Sequence, residues 1–263
     1  MAEDMVQEVV QRVMQRLSPT DQPAKCDPPA RPVHPGLTEF VGVSPLGETI
    51  GLVIASLDPN LHREMGIDPR FRSLGIISAR TGAGPQILAA DEGVKATNTE
   101  VLAVELPRDT KGGAGHGSLI IFGAEEVSDA RRAVEVTLRE LERTFGDVYG
   151  NDQGHLEFQY TARASQACAK ALGAEIGKAY GLVLGAPAGI GVVICDIAVK
   201  AANVEIISYL SPGHNTSLTN EFAINIKGDS GAVRQAIIAA REAGLKLLGA
   251  WGQPPKSTTT PYI

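Results

Sequence analysis

The sequence is poor in several residue types, and each shortage excludes a class of protein. Its 263 residues include only three cysteines, Cys26, Cys168 and Cys195, and no C-x-x-C pair, which disfavours zinc ribbons and iron–sulfur clusters. Aromatic residues make up 5% of the chain, too few for the stacking platforms that bind single-stranded nucleic acid. Acidic residues exceed basic ones and give a net charge of −6, which disfavours contact with a phosphate backbone. The sequence therefore predicts no nucleic-acid partner.

Long hydrophobic runs are also missing. The longest uncharged apolar stretch, residues 181–195, contains Pro187 and stops before Asp196, short of the roughly 20 residues that a membrane span requires. The N-terminus is acidic and interrupted by polar residues, unlike a secretory signal. Since 43% of the residues are hydrophobic, the chain can still build a packed core. We expect a soluble intracellular protein without a membrane partner.

The first 36 residues differ in character from the rest. Apolar side chains recur there at the 3.6-residue spacing of one helix face: Val6, Val9, Val10, Val13, Met14 and Leu17. Six prolines follow between Ser18 and Gly36, which is typical of a semi-extended linker. A helix on such a tether either frays or docks on a partner, and the regular apolar stripe favours docking.

From Leu37 onward the sequence repeats itself. Asp91–Val101 aligns with Asp196–Ile206 at a constant offset, and Asp, Val, Lys, Ala, Asn and Glu coincide. Glu39-Phe40 also resembles Glu157-Phe158. The repeat predicts two domains of about 100 residues each. We place them at residues 37–150 and 151–263, the second with a short C-terminal tail, after the extension of residues 1–36.

Each copy predicts the same order of elements. A short strand leads through a glycine- or proline-containing turn into a helix, which ends near Asn98 in the first copy and Asn203 in the second. Two strands and a final helix follow. In the second copy, the first helix is expected to bury one face, formed by Ile190, Val193, Ile194, Ile197 and Ala201. The order strand–helix–strand–strand–helix predicts an α+β fold, with helices on one face of a mainly antiparallel sheet.

The segments Asp196–Ile206 and Gly228–Ala236 resemble the signature of the bacterial microcompartment shell domain, and Asp91–Val101 carries a weaker version. Residues 37–263 as a whole are similar to the tandem-domain class of these shell proteins. The resemblance implies two circularly permuted shell domains, each an α/β sandwich related to the ferredoxin-like fold. It also implies a homotrimer that forms a pseudohexameric tile, packed with other shell proteins around enzymes in the bacterial cytoplasm.

The resemblance implies a structural protein without catalytic residues, cofactor or metal. Its small pores would pass polar metabolites such as diols or alcohols, and its N-terminal extension would link the shell to encapsulated enzymes. The motif lysine of the family lies at the tile edge, and this role carries over to Lys95 and Lys200, with Asn98 and Asn203 beside them. Both lysines are therefore expected to be largely exposed. The Pro-Arg-Pro-His strand ending of unpermuted domains is absent, so the edge arginine has no counterpart to assign.

Two loops rich in glycine and hydroxyl groups, residues 107–117 and 211–219, fall at matching places in the copies. Their histidines either face a pore or bind a metal across the trimer. Since neither histidine has a second ligand at metal-binding spacing, we favour a pore or polyol-binding role. The candidate residues are Arg108, Asp109, Gly113, His116, His214, Asn215 and Ser217.

Two alternatives remain at this point. Gly82-Ala-Gly84 follows a strand and opens a helix, which partly fits a dinucleotide fingerprint and suggests an oligomeric nucleotide-binding enzyme. The third glycine of that fingerprint is missing, and the second copy has Pro187-Ala-Gly189 instead. The other alternative is a small-molecule sensor built from duplicated α+β domains.

Overall fold

The computed structural model describes residues 35–108, 116–215 and 219–263. The predicted docking helix, Val6–Leu17, and three candidate loop residues, Asp109, Gly113 and Ser217, lie outside the described residues. The described part forms two antiparallel sheets, each with a long helix packed on one face. We call the face under this long helix the inner face of the sheet and the opposite face the outer face.

The described part of the first half contains five strands, three α-helices and a short 3-10 helix, Leu46–Glu48. In chain order the strands and α-helices are β1 (Phe40–Ser44), β2 (Thr49–Ile54), α1 (Pro59–Glu64), β3 (Ser73–Ala79), α2 (Ala83–Lys95), β4 (Glu100–Glu105), β5 (Ser118–Ala124) and α3 (Val127–Thr144). The strands lie in the order β1-β2-β3-β5-β4, and every pair is antiparallel.

The second half repeats this plan with one added strand. Its elements are β6 (Val148–Asn151), β7 (Gly154–Thr161), α4 (Gln166–Leu172), β8 (Ala179–Ala186), α5 (Ala188–Ala201), β9 (Val204–Leu210), β10 (Phe222–Gly228), α6 (Ser230–Trp251) and β11 (Lys256–Ser257). The strands lie in the order β11-β6-β7-β8-β10-β9. The predicted α+β duplication is confirmed, and the second sheet begins at Val148, slightly before the predicted boundary after residue 150.

Each copy opens with a strand pair that the sequence pattern did not predict, β1–β2 and β6–β7. The expected match of Glu39-Phe40 with Glu157-Phe158 is wrong. Phe40 lies in the edge strand β1, whereas Phe158 lies in β7, whose counterpart by sheet order is β2. Thr49 pairs with Ala79 in the first sheet, and Leu156 pairs with Gly185 in the second. These registers make Thr49 the counterpart of Leu156.

The inner face of the first sheet is buried under α3. Ala133, Val134 and Leu141 of this helix are fully buried, as their 3.6-residue spacing predicts. The helix lies so close to the sheet that a Cβ atom on Gly75 of β3 would fall 2.7 Å from the carbonyl oxygen of Ala130. Glycine at this position therefore permits the close helix–sheet contact.

The predicted buried face of α5 is largely wrong. Its buried residues are Gly191, Ile194, Cys195 and Ala198, whereas Val193 is 45% exposed. A Cβ atom on Gly191 would fall 2.5 Å from the carbonyl oxygen of Phe222, so this side of the helix nearly touches the sheet backbone. The buried face therefore combines Ile194 with small residues, and Val192 and Val193 point away from the sheet.

The end of the chain is anchored to the second half. Strand β11 pairs with β6, and the backbone N–H groups of Tyr262 and Ile263 donate to Asp147 Oδ2 over 2.8 and 3.0 Å. Arg241 Nη1 donates to Asp147 Oδ1 over 2.7 Å and to the Ile263 carbonyl oxygen over 2.8 Å. Across the described ranges, no helix has both the length and the apolar character needed to cross a membrane.

Candidate functional site

The two halves meet where α2 of the first half packs on the outer face of the second sheet. Ile87 and Leu88 of α2 are 0% and 1% exposed, and they belong to one apolar cluster with Leu182 of β8 and Ala223 of β10. Helix α4 packs against the same helix, with Cys168 in this cluster. Burial raises the pKa of the Cys168 thiol well above its ordinary value. The junction is thus a continuous core shared by both halves.

An acidic side chain of α2 caps a helix of the other half. Asp91 is 0% exposed, and its carboxylate accepts the backbone N–H of Ser165 at 2.9 and 3.1 Å and that of Cys168 at 3.1 Å. These N–H groups open α4, which has no capping side chain of its own. Lys95 Nζ lies 2.9 Å from Asp91 Oδ2. Asp91 therefore ties α2, α4 and Lys95 together.

Lys95 and Lys200 hold matching places in the repeat, but their environments differ. The Lys95 side chain is 25% exposed, with Nζ 2.9 Å from both Asp91 and Glu92 and 3.4 Å from Thr161 Oγ1 in the other half. Burial would lower the pKa of Lys95, but the two carboxylates outweigh it and raise that pKa. Lys95 as a whole residue is exposed, as expected, but its side chain is partly covered by its contacts in the junction between the halves.

Lys200 fits the tile-edge expectation better. Its side chain is 72% exposed and pairs with Asp196 Oδ2 over 2.6 Å, on the solvent side of α5. Asn203, which follows this helix, is exposed. Asn98 is exposed too, and its backbone N–H donates to Asp129 Oδ1 over 3.4 Å. A role of these residues in contacts between tiles remains a prediction.

A cavity of about 280 Å³ lies in the junction, at the N-terminal end of α2. Leucine side chains from both halves form much of its wall, and ionisable groups stand among them: His116, His155, Glu157 and Glu221. His155 Nε2 lies 3.1 Å from Glu221 Oε1. The Nδ1 atom of His116 is buried and has no hydrogen-bond partner in the described part of the chain.

The two carboxyl groups of this cavity have opposite pKa shifts. Burial, aided by the negative charge of Glu221, raises the pKa of Glu157 to about 7. Burial acts on Glu221 as well, but the hydrogen bond and charge of His155 outweigh it and lower the pKa of Glu221. Near neutral pH, Glu221 is ionised while Glu157 is poised between its two forms.

A second, more open space of about 470 Å³ lies at the other end of α2, where the residues are mostly charged or aromatic. Its lining includes Glu92, Lys95, Glu140, Arg143, Tyr160, Arg163, Arg234 and Tyr262. The Arg143 guanidinium lies 4.8 Å from the centre of the Tyr262 ring and 2.9 Å from Glu140 Oε2. Arg163 and Arg234 are exposed at its rim. We call this space the charged cleft.

The structure separates the candidate loop residues. His116 lines the cavity in the junction, whereas the ring of His214 stacks on Tyr209, with centroids 4.3 Å apart. Arg108 is exposed, and Asn215 adopts a left-handed backbone with φ of 64°. No group of three or more metal-ligating side chains occurs within residues 35–108, 116–215 and 219–263.

The glycine turn suggested for nucleotide binding has a packing role. Gly82, the residue before α2, has a φ of 82°. This left-handed backbone conformation is one that glycine adopts far more readily than other residues. At Gly84 a Cβ atom would collide with the carboxylate of Glu157 from the other half. A phosphate at this helix start would meet that carboxyl group, so the dinucleotide interpretation is wrong.

Sequence reasoning missed Glu157, Glu221, His155 and Arg143. Glu157 entered the repeat only through an incorrect match with Glu39, the other three lie outside the aligned segments, and their surroundings depend on how one half packs on the other. Asp91 did belong to the aligned segment, but its capping of a helix in the other half leaves no trace in the sequence.

Comparison with known proteins agrees with this architecture. The family model for the BMC domain matches twice, at residues 73–151 and 179–252. The chain is 54% identical to the bacterial microcompartment shell protein PduB of Citrobacter freundii, over 99% of this chain and 98% of the relative.

Two solved structures are also similar to it. A crystal structure of a trimeric bacterial microcompartment shell protein PduB is 55% identical, with a TM-score of 0.83 over 86% of this chain and 100% of that one. EtuB from Clostridium kluyveri is likewise 55% identical, with a TM-score of 0.83 over 87% of this chain and all of the other. The chain thus belongs to the bacterial microcompartment shell proteins, as a PduB-type member with two BMC domains in tandem, and it is a structural protein of the shell and not an enzyme.

Proposed function

We propose that three copies of this chain close into a pseudohexameric tile, each copy inserting α5 against the first sheet of the next. The observation that carries this proposal is a difference between matching helices. At the offset of the repeat, Ile87 and Leu88 of α2 correspond to Val192 and Val193 of α5. The first pair is buried on the second sheet, whereas the valines are 49% and 45% exposed.

The surface that α5 would cover lies on the outer face of the first sheet. Ile50 and Leu52 of β2 and Ile76 of β3 are only partly buried, and α1 beside them buries no residue. By strand register, Ile76 stands where Leu182 stands in the second sheet, which α2 covers. Each chain therefore has one sheet face that is only partly covered and one helix with exposed valines that could cover the rest. Such a head-to-tail contact closes into a ring when its rotation permits.

Sedimentation of a charged variant tests this proposal. Val193→Glu places a carboxylate on the face of α5 that would be buried between copies, so trimers are expected to dissociate into monomers. Val127→Glu is the matched control, since Val127 is also an exposed valine on a helix, at 38%. A trimeric Val193→Glu protein, or a monomeric wild type, would contradict the proposal.

We further propose that the charged cleft gives small polar metabolites, such as diols or small alcohols, a route through the tile. Its charged and hydroxyl groups would replace the hydration shell of such a molecule. Ala162 is exposed and lines the cleft, so Ala162→Trp is expected to narrow it. In assembled shells this variant should slow the use of an external diol, while Ala250→Trp, at another exposed alanine, should not. Equal rates would exclude the cleft as the route.

The extension of residues 1–36 is proposed to hold the shell to its enzyme cargo through the apolar stripe from Val6 to Leu17. The support is the sequence pattern alone. Deleting residues 1–36 should leave trimers intact, because the shared core of the two halves begins after residue 36. The deletion should detach cargo from purified shells. Undiminished cargo, or loss of the trimer, would contradict this role.

A further inference from the structure

The cavity in the junction has the features of a small-molecule site built within one chain. It is about 280 Å³ in volume and has an apolar wall that includes Leu106, Leu172, Leu182, Leu184 and Leu210. Its polar side chains are few: Thr81 and the four ionisable groups. An apolar chamber with a few placed polar groups is the usual form of a small-molecule site. No second copy is needed to complete it.

The charge in this cavity is unbalanced. Glu221 pairs with His155, whereas Glu157 is buried and accepts a long hydrogen bond of 3.4 Å from Gln159 Nε2 to Oε1. The charge of His155 lowers the pKa of Glu157 and that of Glu221 raises it, so the histidine that acts on Glu157 is already paired with the other carboxylate. Among the described residues, no lysine or arginine lines this cavity. Ionised Glu157 would therefore be a second buried carboxylate without a cation of its own.

We propose that the cavity binds a short-chain primary alkylammonium ion, with the ammonium group at Glu157 and Glu221 and the alkyl chain against the leucines. An anion would be repelled by two carboxylates. A neutral alcohol of the same size would fill the space but leave the buried charge uncompensated, which is costly in an apolar enclosure. A primary ammonium group carries a positive charge, which compensates the buried carboxylate, and its three N–H groups can donate hydrogen bonds to both glutamates.

The proposed site exists only at the junction between the two halves of one chain, and not at the corresponding contact between two copies. Strand register places Ile50 of the first sheet where Glu157 stands in the second sheet. The matching space between two copies would therefore lack this carboxylate. A trimer would hold one such site per chain, and a monomer would keep its own. This inference consequently stands or falls independently of the proposed tile.

Binding is expected to depend on pH. The pKa of Glu157 is raised to about 7 by burial first and by Glu221 second. The ammonium ion requires ionised Glu157, so the affinity should fall as the pH drops below about 7. The limiting slope for one coupled proton is about tenfold per pH unit.

Calorimetric titration of the full-length protein with three matched probes tests the proposal. At about pH 8, n-propylammonium should bind saturably, and 1-propanol and propionate should bind at least about tenfold more weakly or not at all. At about pH 6 the propylammonium affinity should be roughly tenfold lower. Glu157→Gln keeps the shape of the side chain but removes its charge, and it should abolish the preference for the ammonium probe.

Two further variants complete the design. Glu205→Gln removes a carboxylate that is 78% exposed and should bind like the wild type. Leu184→Phe reduces the cavity without touching its charges and should weaken propylammonium binding, which keeps the test valid if Glu157→Gln fails to fold. Equal affinity for propanol and propylammonium, unchanged binding by the Leu184→Phe protein, or no saturable binding by the wild type would overturn the proposal.

Discussion

Asp91 Oδ2 accepts the backbone N–H of Ser165 over 2.9 Å, which joins a helix of the first half to the first turn of a helix in the second half. Asp91 is wholly buried and also contacts Lys95. A buried carboxylate is tolerated when its charge is paired and its lone pairs are satisfied. This arrangement makes the two halves one folding unit.

The contribution of this cap is measurable by substitution. Asp91→Asn removes the charge that pairs with Lys95 and weakens acceptance from Ser165 and Cys168. We expect the free energy of unfolding to fall by about 2–4 kcal/mol, measured by urea denaturation. Asp196→Asn is the matched control. Asp196 holds the matching place in α5, but its side chain is 55% exposed. The control should change stability by about 0.5 kcal/mol or less; equal losses in the two variants would exclude the capping role.

The matching lysines should affect different properties. Lys95→Ala is expected to lower stability by about 1–2 kcal/mol, because Asp91 loses a partner; partial exposure keeps the loss modest. Lys200→Ala should leave stability within about 0.5 kcal/mol of the wild type and instead impair the packing of tiles into sheets. Thermal unfolding and electron microscopy of the two proteins separate these effects. Normal sheets from Lys200→Ala would remove that lysine from the proposed tile edge.

Glu157 should make stability depend on pH around neutrality. Its pKa is about 7 in the folded chain and 4.5 for an unperturbed Glu. When folding raises the pKa of a carboxyl group, the group stabilises the fold at a pH below its pKa in the unfolded chain. That stabilisation is lost as the pH rises through its pKa in the folded chain. Between about pH 5 and 8, the free energy of unfolding of the wild type should therefore fall by up to about 3 kcal/mol relative to that of Glu157→Gln. Parallel pH profiles for the two proteins would contradict this assignment.

Removal of the last two residues should expose the anchoring role of Asp147. This buried carboxylate accepts the backbone N–H groups of Tyr262 and Ile263, and also bonds Arg241. Deleting Tyr262 and Ile263 leaves Asp147 with fewer donors, so we expect a loss of about 2–3 kcal/mol in chemical denaturation. A second deletion extended back to residue 256 should cost more, because it also removes the pairing of β11 with β6 and the hydrogen bonds of Ser257 and Thr258 to Gly146 and Val148. An unchanged midpoint for the first deletion would refute the anchor.

The sequence predicted the duplicated α+β plan because the repeat and the helical periods of α3 and α6 are local patterns. It did not predict the opening strands of each copy, since β1 and β6 are only five and four residues long and show weak alternation. It misplaced the buried face of α5, where Gly191 and Ala198 pack closest and the larger valines are turned outward.

The site was predictable only in part. Lys200 and Asn203 are exposed where the motif suggests. Lys95 and Glu157, by contrast, owe their environments to the contact between halves, and no periodic signal describes a contact between distant segments. The repeat itself concealed the asymmetry, because identical motif residues face the other half in one copy and solvent in the other.

Electron microscopy of the purified chain tests the central claim most directly. The wild type should form flat, hexagonally packed arrays whose tiles have three-fold symmetry, each with about three times the 27.6 kDa mass of one chain. Val193→Glu should form none, because the charged helix no longer docks on the first sheet of the next copy. Stable wild-type monomers, or arrays of Val193→Glu indistinguishable from those of the wild type, would contradict the account.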